Sequence, residues 1–196
     1  MIRRVMNRLA LDIEGIVLCS ASEAGALSRD EEFALGRTLA STAVAHLVGI
    51  DTADAAISVT ELGAPYAVGY SEVCLSISHT RGLVLAGAVI GDYFGIDVEW
   101  AQRDVTRLTR SLLPDEMDFV EGGRVSVLEL LVAKEAVAKS WGTGLGGGLR
   151  RWPAQGVGEG WVEIGGDGGA RRARVHRVEF ADGGAHREAL IATVSG

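Results

Sequence analysis

The 196-residue sequence predicts a fold that mixes helices with short strands, in which a helix followed by strands occurs twice. Residues 28–48 repeat apolar side chains at helical spacing, whereas from residue 56 short apolar runs alternate with turns. A second helical segment, also followed by short strands, lies beyond residue 94. We therefore predict two halves, residues 1–93 and 94–196, although no sequence identity relates them.

The first predicted helix has clear signals at both ends. Ser28 and Glu31 have the spacing of a capping box, and Gly49 stands where a helix ends. Its expected buried stripe consists of Phe33, Leu39, Ala43 and Leu47.

The remaining elements follow from apolar runs between turn residues. Strands are predicted over 57–62, 73–78, 83–90 and 94–100, and Gly91-Asp92 reads as a hairpin turn between the last two. Pro114 marks a helix start, and a longer helix is predicted over 125–141, before a glycine-rich loop. Further strands are predicted over 161–164, 174–181 and 189–194.

Composition argues against two classes of partner. A net charge of −7 disfavours the concentrated basic face that nucleic-acid binding needs. No run approaches the ~20 apolar residues of a membrane span, and Asp12 and Glu14 interrupt the apolar stretch near the N-terminus. We expect a cytoplasmic protein.

The segment Gly95-Ile96-Asp97-Val98-Glu99 carries the sharpest chemical signal. Side chains alternate along a strand, so Asp97 and Glu99 share one face, about 7 Å apart. Two such carboxylates repel each other unless a cation lies between them, and Mg²⁺ favours carboxylates together with substrate phosphates. The alternative is the solvent-facing side of an edge strand.

The helix at 125–141 places two charges on an apolar face. Glu135 and Lys139 are four residues apart and fall on the same side as Leu128, Leu131 and Val132. Burying them would be costly unless they are paired or bound, so the helix is expected to border a site. A surface ion pair is the alternative.

The chain has 17 arginines and only two lysines, and both lysines, Lys134 and Lys139, lie in this helix.

A group of polar side chains closes the predicted strand 73–78. Ser78, His79, Thr80 and Arg81 offer several hydrogen-bond donors at a strand terminus. Such a cluster could hold a phosphate. A structural histidine is the alternative.

Together these motifs resemble the surfactin-type 4′-phosphopantetheinyl transferases of the holo-acyl-carrier-protein synthase superfamily. Their pattern is G-[IV]-D-x-E, then W-[ST]-x-K-E-x-x-x-K about 40 residues later. Ser76 to His79, Gly95 to Glu99 and Lys134 to Lys139 match in order and approximate spacing. Gly36-Arg37, Gly63-Ala64-Pro65 and Leu190-Ile191-Ala192 extend the resemblance to about residues 27–196.

The resemblance implies an α+β fold of two pseudo-symmetric halves, each a helix packed on a small antiparallel sheet, with a coenzyme A cleft between them. The N-terminal half would contact coenzyme A, and the C-terminal half would hold the metal and the pyrophosphate. The implied activity transfers phosphopantetheine from coenzyme A to a serine of an apo acyl or peptidyl carrier protein, releasing 3′,5′-ADP. A monomer is expected.

The resemblance also implies roles for particular residues. Asp97, Glu99 and Glu135 would hold Mg²⁺ and Lys139 would pair with phosphates, while Glu135 could accept the serine proton. Arg37 would contact the 3′-phosphate of coenzyme A, and His79, with Ser78, Thr80 and Arg81, would reach the other phosphates. Arg103, Arg107 and Arg110 are candidates for a local basic surface facing the acidic carrier.

Three positions depart from the family pattern. Leu131 and Val132 replace an aromatic residue and a Ser or Thr, and Ala64 replaces a lysine. These departures keep an alternative open, a non-catalytic homologue that binds coenzyme A or a carrier domain. A magnesium-dependent phosphohydrolase is a third possibility, although a further acidic cluster is lacking.

Overall fold

The computed structural model describes residues 5–9, 16–22, 27–166, 168–182 and 185–196. Over these residues the chain combines three α-helices with antiparallel strand pairs, so the predicted α+β class is confirmed. None of the helices in these ranges combines the length and the apolar composition that crossing a lipid bilayer requires.

The chain divides into two compact units that are not continuous in sequence. The first unit contains the described residues up to Phe94, together with Phe180–Arg187 and Ser195–Gly196. The second contains Gly95–Glu179 and Glu188–Val194. The sequence places the division after residue 93 and assigns everything beyond it to the second half, whereas in the structure two later segments belong to the first unit.

The first unit is built around one long helix and a four-stranded sheet. Its elements are β1 (Val5–Leu9), β2 (Ile16–Ser22), α1 (Arg29–Val48), β3 (Ile57–Val59), β4 (Pro65–Ala67), β5 (Val73–Thr80) and β6 (Leu83–Ile90). The strand order is β1-β2-β6-β5, and β3 and β4 form a separate hairpin. Helix α1 packs on β2, β5 and β6, and this contact forms the core of the unit.

Helix α1 begins and ends as the sequence predicts. The Ser28–Glu31 capping box is present, and Gly49 ends the helix at φ +76°, a conformation that favours glycine. The predicted buried stripe is partly wrong, because Phe33 is 58% exposed. The buried row instead contains Leu35 and Gly36, and Gly36 lies close against Ile77 of β5.

The predicted hairpin at Gly91-Asp92 is wrong. β6 belongs to the four-stranded sheet, whereas the next strand, β7 (Phe94–Trp100), belongs to a different sheet. The backbone N–H groups of Asp92 and Tyr93 donate to the carbonyl oxygen of Gly196, at 2.6 and 3.0 Å. The turn at Gly91-Asp92 therefore forms hydrogen bonds with Gly196 and does not connect β6 and β7 as paired strands of one sheet.

The second unit contains a five-stranded sheet and two helices. Its further elements are α2 (Pro114–Glu121), α3 (Val127–Ser140), β8 (Ala154–Gly158), β9 (Trp161–Gly166), β10 (Gly169–Asp182) and β11 (Ala185–Ser195). The strand order is β7-β11-β10-β9-β8. The predicted elements are present, but β10 and β11 extend further than predicted, and the sequence reading missed β8. Its glycine-rich segment, Ala-Gln-Gly-Val-Gly, lacks an apolar run.

Gly95 allows α3 to approach β7 closely. A Cβ atom at this position would collide with the carbonyl oxygen of Ala136 and with the backbone nitrogen of Ser140. The helix backbone is thus in direct contact with the strand backbone at this point. Because side chains alternate along β7, Gly95, Asp97 and Glu99 all face α3.

We predict that Gly95→Ala destabilises the protein by ~2–3 kcal/mol, because the added methyl group meets rigid backbone atoms. Urea denaturation measures this loss. The matched control is Gly146→Ala, at a site in the same unit whose nearest neighbouring atom would be 3.5 Å from the new Cβ. Equal stability of the two variants would contradict the close approach of α3 to β7.

Candidate active site

Strand β7 and helix α3 bring Asp97, Glu135 and Lys139 together. The Nζ atom of Lys139 lies 2.7 Å from Oδ1 of Asp97, and the Asp97 residue is only 4% exposed. Glu135 lies one helical turn before Lys139 and shares a hydrogen bond with the Asp97 carboxyl group. Asp97 of the first predicted pair therefore joins both members of the second, and burial excludes the solvent-facing alternative for Asp97.

The environment of Glu135 favours its protonated form. Burial raises the pKa of Glu135 to about 7, and the negative charge of Asp97 and the shared hydrogen bond act in the same direction. The positive charges of Lys139 and Arg103 partly oppose this rise in pKa. A carboxyl group with a pKa near neutrality can both accept and release a proton under physiological conditions.

Glu99 lies on the same face of β7, but its carboxylate bonds to other groups. One oxygen accepts from the backbone N–H of Trp100 at 3.0 Å, and the other contacts the guanidinium group of Arg103. The side chain is 12% exposed. Glu99 is therefore buried, as the site hypothesis requires, and Arg103 neutralises its charge.

Two of the three predicted metal ligands, Asp97 and Glu135, are arranged in a way that suits a magnesium ion. Within the described ranges, no group of three or more His, Cys, Asp and Glu side chains is arranged to hold a metal ion. Asp97 is nevertheless buried and shares a hydrogen bond with the partly buried Glu135, and Mg²⁺ is commonly held by one or two carboxylates plus phosphates. These two residues would hold the ion, and a ligand role for Glu99 stays a prediction.

Lys134, the other lysine of α3, does not belong to this cluster. Lys134 and Glu116 of α2 are both fully buried, with Nζ 2.6 Å from Oε1. Lys134 also donates to the carbonyl oxygen of Leu149, while Glu116 accepts from the backbone N–H groups of Leu113 and Ala154. Burial lowers the pKa of Lys134, and Glu116 partly opposes this. The pair joins α2, α3 and the start of β8.

Arg37 and His79 line a pocket of about 400 Å³ within the first unit. The Arg37 guanidinium donates to the carbonyl oxygen of Ile57 and lies 5.7 Å from the centre of the Phe33 ring. His79 Nδ1 is 3.1 Å from a Glu32 carboxylate oxygen. Two residues predicted from separate motifs thus reach the same pocket.

The predicted phosphate cluster at the end of β5 does not form as one group. Ser78 is 3% exposed and lies on the opposite face of β5 from His79, as does Thr80, because strand side chains alternate. Arg81 is exposed in the turn between β5 and β6. Ser78, Thr80 and Arg81 are not among the residues that line the pocket containing His79, so a phosphate-binding role for these three residues stays a prediction.

Sequence reading missed three contributors to these sites. Arg103, assigned to a docking surface, contacts Glu99, and Phe33, assigned to the core, lines the pocket in the first unit. Glu32, the partner of His79, was not singled out. The four-residue spacing of Glu99 and Arg103 was the available signal, but both lie outside a helix, where such spacing implies no contact.

The pKa of Glu135 predicts a pH-dependent stability. Between pH 4.5 and about 7 the folded protein retains a proton that the unfolded chain loses. The free energy of unfolding therefore falls as pH rises through this range, by up to ~3 kcal/mol. Glu135→Gln should remove this pH dependence of the free energy of unfolding. Urea denaturation at a series of pH values from 5 to 8 measures it. Glu121→Gln, at an exposed site in the same unit, should keep the wild-type slope. The same slope in both variants would contradict the assignment.

The buried pair predicts a non-additive effect on stability. Lys134→Met leaves Glu116 charged and buried, and should cost ~3 kcal/mol or more. Glu116→Gln in the Lys134→Met background removes that charge and should recover part of the loss. Thermal and urea denaturation provide the measurement, with Arg107→Met as an exposed control expected to change stability by less than ~0.5 kcal/mol. Additive losses would show that the two groups do not interact.

Comparison with known proteins assigns no family to this chain. No protein-family model matches it, and no curated protein is found to be similar. The case for a function therefore rests on the described side chains.

Proposed function

We propose that this protein is a magnesium-dependent 4′-phosphopantetheinyl transferase, which modifies a serine of an apo carrier protein with coenzyme A as co-substrate. One observation carries the proposal. The buried carboxylate of Asp97 and the partly buried carboxyl group of Glu135 meet a lysine amine, that of Lys139, at the contact of β7 with α3. Phosphoryl transfer depends mainly on positioning and charge neutralisation, and such a cluster can supply both.

The proposed reaction breaks a phosphoanhydride bond of coenzyme A and forms a phosphoester bond to the serine. The serine oxygen attacks the phosphorus that carries pantetheine, and the bond from that phosphorus to the oxygen of 3′,5′-ADP breaks. Bound Mg²⁺ would neutralise the pyrophosphate charge. Glu135 accepts the serine proton as the general base. Lys139, 27% exposed, stabilises the charge that develops on the departing phosphate.

The pocket in the first unit supports the choice of co-substrate. Arg29, Arg37 and His79 can contact phosphate groups, and the exposed ring of Phe33 offers a surface for a flat base. We assign Arg37 to the 3′-phosphate, as the resemblance implies. The proposal includes a monomer acting in the cytoplasm on an acidic carrier domain, and Arg107 and Arg110, both exposed, are the remaining candidates for the docking surface.

A second candidate function is a non-catalytic module that binds coenzyme A. The contact between Glu99 and Arg103 favours it, because the third predicted metal ligand is engaged by an arginine. Leu131 and Val132, which replace polar or aromatic residues of the pattern, are both buried in the core. Calorimetry that detects coenzyme A binding, together with no transfer to any carrier, would select this function.

We predict that the protein, with Mg²⁺ and coenzyme A, adds ~340 Da to an apo carrier protein, the mass of the transferred group. Asp97→Asn, Glu135→Gln and Lys139→Met should each lower the rate by about 100-fold or more, because each removes a group that stabilises or activates the reacting atoms. Intact-mass spectrometry against a mixed set of fatty-acid, polyketide and peptide carrier domains provides the measurement.

Asp118→Asn and Glu121→Gln serve as matched controls, since both sites are exposed in the second unit. They should retain the wild-type rate. If no carrier domain gains mass, or if Asp97→Asn reacts as fast as the wild type, the proposed activity is excluded.

A further inference from the structure

Arg103 contacts Glu99, the carboxylate that the resemblance implies as a third metal ligand. Gly95, Asp97 and Glu99 lie on the face of β7 that is turned to α3. Glu99 is therefore the next residue after Asp97 on that face. Its two carboxylate oxygens contact the N–H of Trp100 and the guanidinium group of Arg103. Arg103 thus acts as a counter-ion for one carboxylate of the candidate site.

Arg103 is placed where it can leave this contact. Its side chain is 42% exposed, whereas that of Glu99 is 12% exposed. Arg103 also lines an open groove of about 740 Å³ in the second unit, together with Arg124 and Arg177. The residue lies three positions after the end of β7 and outside any helix. Movement of Arg103 into the groove would therefore cost little buried surface, while Glu99 would stay in place.

We propose that Arg103 competes with a divalent cation for Glu99, and so sets the metal affinity of the site. This inference rests on the proposed function in taking Asp97 and Glu135 as the residues that hold the ion. With Arg103 in place, two carboxylates are available to the cation. When Arg103 moves away, Glu99 becomes the third ligand and binding becomes tighter. Arg103 is a positioning residue in this scheme, because it acts through Glu99.

The scheme has a quantitative consequence. A ligand that needs a partly populated state binds with an affinity reduced by the fraction of molecules in that state. If the Arg103–Glu99 contact is present in most molecules, its removal should tighten metal binding by roughly tenfold. The loss of a positive charge elsewhere on the surface should change the metal affinity only weakly, because solvent and salt screen that charge.

The test is a titration of the full-length protein with Mn²⁺, in which electron paramagnetic resonance counts the free ion. We expect Arg103→Gln to lower the dissociation constant roughly tenfold relative to the wild type. Arg107→Gln removes the same charge from an exposed position four residues later and should change the constant by less than about twofold. In the Glu99→Gln background, Arg103→Gln should no longer tighten binding. Thermal unfolding of each variant confirms that it is folded.

Three results would overturn the inference: an unchanged or weaker affinity in Arg103→Gln, an equal gain in Arg107→Gln, or a gain that persists without Glu99. Carrier modification separates this failure from that of the proposed function. If the wild type modifies a carrier and Arg103→Gln binds Mn²⁺ no more tightly, only the role of Arg103 is lost. If no variant binds Mn²⁺ and no carrier is modified, both proposals fall.

Discussion

The arrangement of the second unit depends on one contact between two backbones. At Gly95 the strand β7 meets α3 with no side chain between them, and this fixes how the helix lies along the strand. Once the helix is fixed, Lys139 reaches Asp97, and Glu135 lies beside them both. A larger residue at position 95 would move the helix, and every distance within the cluster would change with it.

The two lysines show how position within a helix decides the role of a charge. Lys134 is fully buried and paired with Glu116, so its ammonium group serves as a structural link between helices. Lys139 is 27% exposed and paired with Asp97, so a ligand could reach it. Five residues carry the helix through more than one turn, and that rotation separates the interior of the unit from the candidate site.

Much of this could be predicted from the sequence because local rules govern it. The capping box at Ser28 and the extent of β6 and β7 follow from local sequence patterns, whereas the grouping of Asp97 with Glu135 and Lys139 comes from the family resemblance. The supposed Gly91-Asp92 hairpin could not be corrected in this way, because its alternative partner, Gly196, is about a hundred residues away. Sequence likewise could not place Arg103 on Glu99, since that contact depends on side-chain direction in three dimensions. The separation of Ser78 from His79 follows from strand alternation and was open to prediction.

The discontinuity of the two units has a consequence for synthesis of the chain. Phe180–Arg187 belongs to the first unit, and Phe180 is buried, although almost all of that unit precedes residue 95. Domains often fold in order as the ribosome releases them. The first unit cannot be completed in this manner, because Phe180–Arg187 is made only after Gly95–Glu179 of the second unit. The nascent chain must therefore hold an unfinished first unit while the second is being produced, a period in which a chaperone could act on it.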